Sequence, residues 1–106
     1  MALSNQQKKQ FRAIGHTLKP VVTVANNGLS ESVVKELERA INDHELIKVK
    51  LSVGARENKA AVLKQLNQLI GSTTIQEIGN IALIYKASTK PDRHLSNLLR
   101  SNVFIH

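Results

Sequence analysis

Leu46-Ile47-Lys48-Val49-Lys50-Leu51-Ser52-Val53 alternates, with Ile47, Val49, Leu51 and Val53 apolar and Lys48, Lys50 and Ser52 polar. Successive side chains of a strand point to opposite faces, so this period of two predicts a strand with one dry and one wet side. Gly54 ends it. On its N-terminal side, Val33, Val34, Leu37, Ala40 and Ile41 recur at helical spacing to about residue 43. Ser30 suits the N-cap of that helix, and Glu31 suits its positively polarised first turn. On the C-terminal side, the spacing predicts a helix over Arg56–Ile70, with Ala60, Leu63, Leu66, Leu69 and Ile70 inward and Gly71 as its stop. A strand between two amphipathic helices sets the layer plan.

Further out, Val21–Ala25 is a short β-branched run, broken by Asn26-Asn27-Gly28. Thr74–Ile78 and Ile81–Lys86 flank Gly79-Asn80, a two-residue hairpin link. Ser4 with Gln7 reads as a capping box that opens a first helix, whose apolar side is Phe11, Ile14 and Leu18. Gly15 and Lys19-Pro20 end that helix near residues 15–18. The order is α-β-α-β-α-β-β: an α/β chain of the two-layer α+β kind, with a four-stranded mixed sheet. Because Lys48 and Lys50 mark one face as wet, helices need cover only the other. Residues 1–87 form the expected single domain. In residues 88–106, Pro91 precedes the apolar Leu95, Leu98, Leu99, Val103, Phe104 and Ile105. This tail is open to three readings: packing on the domain, pairing with a sheet edge, or mobility.

The 106 residues suit one domain, and at 42% hydrophobic they can bury a modest core. The absence of cysteine excludes disulfides and thiolate metal sites. Met1–Gln10 has no apolar signal region, and no apolar run nears the ~20 residues of a membrane span. A cytoplasmic protein is the expectation. The net charge of +7 is unevenly placed. Residues 1–24 carry four cations and no acid, residues 25–85 balance at seven of each, and residues 86–106 carry four cations against Asp92. Such concentration at the two ends points to a polyanionic partner, bound by phosphate neutralisation and counterion release.

Lys8, Arg12 and His16 stand at i, i+4 and i+8, with Lys9 alongside, and no acid interrupts them. A stripe of this kind is commonly a solvated helix face, and it can equally track a phosphate backbone. Ala25-Asn26-Asn27-Gly28 joins a strand to a helix N-terminus, where backbone N–H groups attract anions; by itself it reads as a plain turn. Lys19 lies just before the same strand. Lys48 and Lys50 project from the wet sheet face, with Asp43 or Glu45 expected nearby, and Arg56 opens the third helix against its dipole.

Catalytic signals are lacking. His16, His44, His94 and His106 have no metal-type spacing, no nucleophile motif includes them, and there is no Gly-rich nucleotide signature. No enzyme, metal site or cofactor is expected. Phe11, Tyr85 and Phe104 are the only aromatics. Single-strand stacking thus has little platform, and backbone and shape readout of folded RNA is favoured.

Three stretches carry a resemblance: His16-Thr17-Leu18-Lys19-Pro20-Val21-Val22, Asn27-Gly28-Leu29-Ser30-Glu31 and His44-Glu45-Leu46-Ile47-Lys48-Val49-Lys50. With Ile78-Gly79-Asn80 and Leu83-Ile84-Tyr85, they resemble the CRM domain family (chloroplast RNA splicing and ribosome maturation) in its bacterial stand-alone form, over roughly residues 3–87. The resemblance implies a fold like the C-terminal domain of translation initiation factor three, preceded by an extra helix. It implies RNA binding and association with precursors of the large ribosomal subunit. The family's Gly-x-x-Gly loop falls on Ala25–Gly28, with Ala25 in place of the first glycine. The expected function is therefore an RNA-binding ribosome-assembly factor, monomeric, with ribosomal proteins as further candidate partners. The second reading, motivated by Leu98, Leu99 and Phe104, is a module that docks on a ribosomal or other acidic protein.

Overall fold

The computed structural model describes residues 3–25, 28–54, 56–90 and 96–98, with Arg56 described by its backbone alone. Helix α1 (Asn5–Gly15) opens as its sequence predicts: Gln7 N–H donates to Ser4 Oγ at 3.1 Å, and Ser4 N–H donates to Gln7 Oε1 at 2.9 Å. Strand β1 (Pro20–Val24) leads to α2 (Glu31–His44), where Val33 N–H donates to the Ser30 hydroxyl. Strand β2 (Leu46–Leu51), helix α3 (Arg56–Ile70), and strands β3 (Thr73–Ile78) and β4 (Ile81–Tyr85) complete the order. Gly79 takes φ +58 in the β3–β4 link, the positive value its first position needs.

The sheet runs β1-β2-β4-β3, with β1 parallel to β2 and β4 antiparallel to both its neighbours. Strands β1, β2 and β3 therefore point one way. Both crossovers, α2 and α3, move across the sheet in one direction, so crossovers of one hand place both helices on the same face. There Val22, Val24, Ile47, Val49, Leu51, Ala82 and Ile84 of the sheet meet Leu37 and Ile41 of α2 and Leu63, Leu66 and Ile70 of α3. This is the dry face predicted from the β2 alternation. Val53 stays buried although the strand ends at Leu51. Leu69 and Ala60, expected inward, are exposed, Leu69 at 53%. Leu63, Leu66 and Ile70 already fill the narrow stripe of α3 that faces the sheet, and Leu69 lies well around the helix from it.

The other face corrects the expectation that it is simply wet. Helix α1 lies across it, and Phe11 and Ile14 cover Leu46, Ile75 and Leu83, with Leu3, Leu18, Tyr85 and Leu98 at the margin. Phe11 and Tyr85 rings sit 4.8 Å apart and tilted by 43°. The approach is close because of Gly15: a Cβ there would stand 2.6 Å from Leu83 Cδ2. Leu46 and Lys48 share this side of β2, one under the helix and one beyond it. The sheet thus has a sealed face and a half-covered one.

Candidate nucleic-acid interface

The uncovered half of the α1 side is organised by strand register. Lys50 pairs with Thr23 of β1 and Ile81 of β4, and Ile81 pairs with Ile78 of β3. Lys48 pairs likewise with Pro20 and Leu83, and Leu83 with Gln76. Two rows of four residues therefore cross the sheet, each about 15 Å long at the usual strand spacing. A register shift between Thr74 and Gln76 turns both Ile75 and Gln76 toward this side, Ile75 under α1 and Gln76 in the open. Ile78 is 61% exposed and Val21 47%, large values for strand residues of this size.

Helix α1 carries cations on this side of the sheet, and His16 at its end reaches the rows. Lys9 and His16 are exposed, and Lys8 and Arg12 half-buried. His16 caps the helix and lines a recess of about 180 Å³ with Lys48, Gln76, Ile78, Ile81 and Leu83. Lys19 and Lys48 share a second recess with Thr17, Val21 and Asn97. Among the described residues, the ion pairs within 4.0 Å are confined to Lys35–Glu31, so Lys8, Lys9, Arg12, Lys19, Lys48 and Lys50 face no matched carboxylate. Among the described residues, neither recess is lined by an acid. Glu77, the acid of β3, instead lines a groove with Ala60, Leu63 and Lys64 of α3 on the other side of the sheet.

The loop after β1 lies at one end of the rows. Gly28 N–H donates to the Ala25 carbonyl at 2.8 Å, and Ser52 N–H donates to the Val24 carbonyl beside it. Gly28 has φ +71 with no described residue within 4 Å of a would-be Cβ. Its requirement for glycine is thus conformational. Ala25 does not take a positive φ, so alanine fits where the family pattern has glycine. Asn26 and Asn27, and the side chain of Arg56, lie outside the described residues. The C-terminal ends of β1 and β2, the Gly79-Asn80 turn, whose Asn80 carbonyl accepts from Leu51 N–H, and the start of α3 lie along the same edge of the sheet as this loop.

Glu45 is not the companion of Lys48 and Lys50 that its sequence neighbourhood predicts. It is 6% exposed and holds φ +61, a region costly for a residue with a Cβ. Its carboxylate accepts from Ser88 N–H at 2.8 Å and from the buried Ser96 hydroxyl at 2.7 Å. Asn97 adds a bond from its N–H to the His44 carbonyl and one from Nδ2 to the Leu46 carbonyl. Of the three readings of the tail, packing holds for Ser96–Leu98; residues 91–95 and 99–106, with Leu99 and Phe104, lie outside the described residues. Burial, and then the nearby Glu45 charge, push the Tyr85 phenol above its ordinary range.

Sequence reasoning placed the lysines and missed Gln76, Ile78 and Ile81 as their neighbours. The signal was present in β4, whose Ile81, Leu83 and Tyr85 share one side, but only the insertion of β4 between β2 and β3 brings them beside Lys48 and Lys50. Among the described residues there is no cluster of three metal-ligating side chains, and no helix is long and apolar enough to cross a membrane.

These features define a two-layer α+β domain with an added helix and an open, cationic sheet face. The chain belongs to the CRS1 / YhbY (CRM) domain family, whose family model matches residues 3–86. It is 54% identical over 100 residues to a Pseudomonas aeruginosa protein named a probable RNA-binding protein, covering 94% of this chain and 96% of that one. A Haemophilus influenzae protein named RNA-binding protein is 40% identical over 86 residues, covering 81% and 87%. The solution structure of a hypothetical Staphylococcus aureus protein, provisionally described as RNA binding, superposes with a TM-score of 0.73 at 26% identity, covering 84% and 93%. These names are those of RNA-binding proteins, not of enzymes.

Proposed function

We propose that this protein binds RNA through the α1 side of its sheet and acts in assembly of the large ribosomal subunit. The observation that carries the reading is the set of cations on and around that side that face no acid among the described residues. Lys8, Lys9, Arg12 and His16 follow the backbone from α1, Lys19 holds it before β1 and the Ala25–Gly28 loop after it, and Lys48 and Lys50 hold it on β2. Arg56 extends the same end from the start of α3. Phosphate contacts of this kind position a folded RNA without reading its sequence. The relatives' names support RNA as the polyanion, and the family resemblance supports precursors of the large subunit. The protein works as a cytoplasmic monomer, and ribosomal proteins are secondary partners. The docking-module reading loses part of its motive, since Leu98 is engaged with the α1 core.

Gradient fractionation of cell extract at low and raised salt tests this. Sedimentation with large-subunit particles, lost as salt rises, is expected. A Lys9→Glu, Arg12→Glu variant should fold normally and shift to the top of the gradient. Wild-type protein found only at the top at low salt would refute the ribosomal assignment.

A further inference from the structure

Phosphate contacts do not explain why apolar residues stand among the lysines. Ile78, exposed at 61%, and Ile81 form a patch across two strands, and Leu83 floors the recess beside them. Lining the same recess are three polar groups of different reach: the Gln76 amide, the Lys48 ammonium and the His16 imidazole. The recess holds about 180 Å³, some six waters at ~30 Å³ each, which is room for one planar ring system and little more. It is a product of two local features. The register shift at Ile75–Gln76 brings Gln76 to this face, and the missing Cβ of Gly15 lets α1 settle on Leu83 so that His16 reaches the rim.

On these grounds we infer that the recess between the α1 C-terminus and strands β2, β3 and β4 receives a single unstacked nucleobase carrying ring carbonyls, uracil or guanine, from the bound RNA. This rests on the RNA-binding reading and adds to it a point of base selection. The aliphatic side chains of Ile78, Ile81 and Leu83 cover the ring face, replacing the aromatic platform this chain lacks. Lys48 is a donor only, and the Gln76 amide offers a donor and an acceptor, so the rim favours bases with carbonyl acceptors beside a ring N–H. Uracil and guanine present that pattern and adenine does not. The sugar-phosphate of such a nucleotide would leave toward Lys50 and Lys19, where cations border the recess. A carboxylate-rich peptide fits less well, because half the lining is apolar and offers no donor.

The test is a methyl NMR titration of the full chain with three RNAs: a hairpin with an all-uridine loop, the same stem with an all-adenosine loop, and the blunt duplex. The uridine hairpin is expected to move the Ile78, Ile81 and Leu83 methyls by ring-current shifts, and to bind roughly ten-fold tighter than the duplex, the scale of one base contact. The adenosine hairpin should match the duplex, and Gln76→Leu should erase the difference between the hairpins while keeping duplex affinity. If α1 and Gly28 amides move with all three RNAs while the methyls stay still, the base site is wrong and backbone binding stands. If no RNA moves any signal, both readings fall. If the methyls move with a poly-glutamate peptide and not with RNA, the recess belongs to a protein partner and the inference is overturned.

Discussion

The two faces of the sheet use the same strands for opposite ends. On the α2–α3 face, every inward residue of β1, β2 and β4 is apolar and sealed, from Val22 and Val24 through Val49 to Ile84. On the α1 face, a helix of 11 residues covers Leu46, Ile75 and Leu83, and leaves Lys48, Lys50, Gln76, Ile78 and Ile81 at the surface. A dry face stabilises through area removed from water and tolerates little change in shape. A half-covered face contributes less to stability and keeps groups available for a partner. The division of labour along β2 is therefore set one residue at a time.

The sharpest way to break that comparison is to damage the dry face and look for a loss of binding. Leu66→Ala removes a fully buried side chain and should cost about 3 kcal/mol in urea unfolding, within the range for Leu→Ala core changes. RNA affinity per folded molecule should be unchanged. Loss of affinity at full folding would show that the two faces are not separable. Next in size is Gly15→Val, which forces a side chain against Leu83 and should cost about 1–3 kcal/mol by overpacking. Here affinity should fall with stability, because the α1 C-terminus carries His16 and leads to Lys19. A Gly15→Val protein that binds like wild type would separate α1 from the interface.

Much of this was legible in the sequence, for reasons that differ by element. The capping box at Ser4, the Ser30 cap and the Gly79-Asn80 link act over three or four residues, and each formed as read. The β2 alternation predicted its own dry side correctly. The cover over the wet side was not legible, because Phe11 and Ile14 show that α1 has a buried face without saying which surface buries it. Glu45 was misread as a surface companion of the lysines. Its partners Ser88 and Ser96 lie 43 and 51 residues away, and nothing local announces them. Ala25 raised a question that the backbone answers, since its φ is ordinary for alanine and the left-handed turn position is Gly28. The rows that join Lys48 to Gln76 and Lys50 to Ile78 depend on strand order, which no spacing encodes.

The central claim is that charge matters by location and not by sum. The direct measurement is the salt dependence of hairpin RNA affinity for two variants of equal net charge. In one, Lys48→Glu and Lys50→Glu reverse the open sheet face; in the other, Arg39→Glu and Lys64→Glu reverse exposed positions on α2 and α3. The account predicts that the first loses at least roughly ten-fold in affinity and flattens the slope of log affinity against log salt by about two. The second should stay within about two-fold of wild type, as expected for cations distant from the contact. Equal losses in both variants, or a larger loss from Arg39 and Lys64, would contradict the assignment of RNA to the α1 side of the sheet.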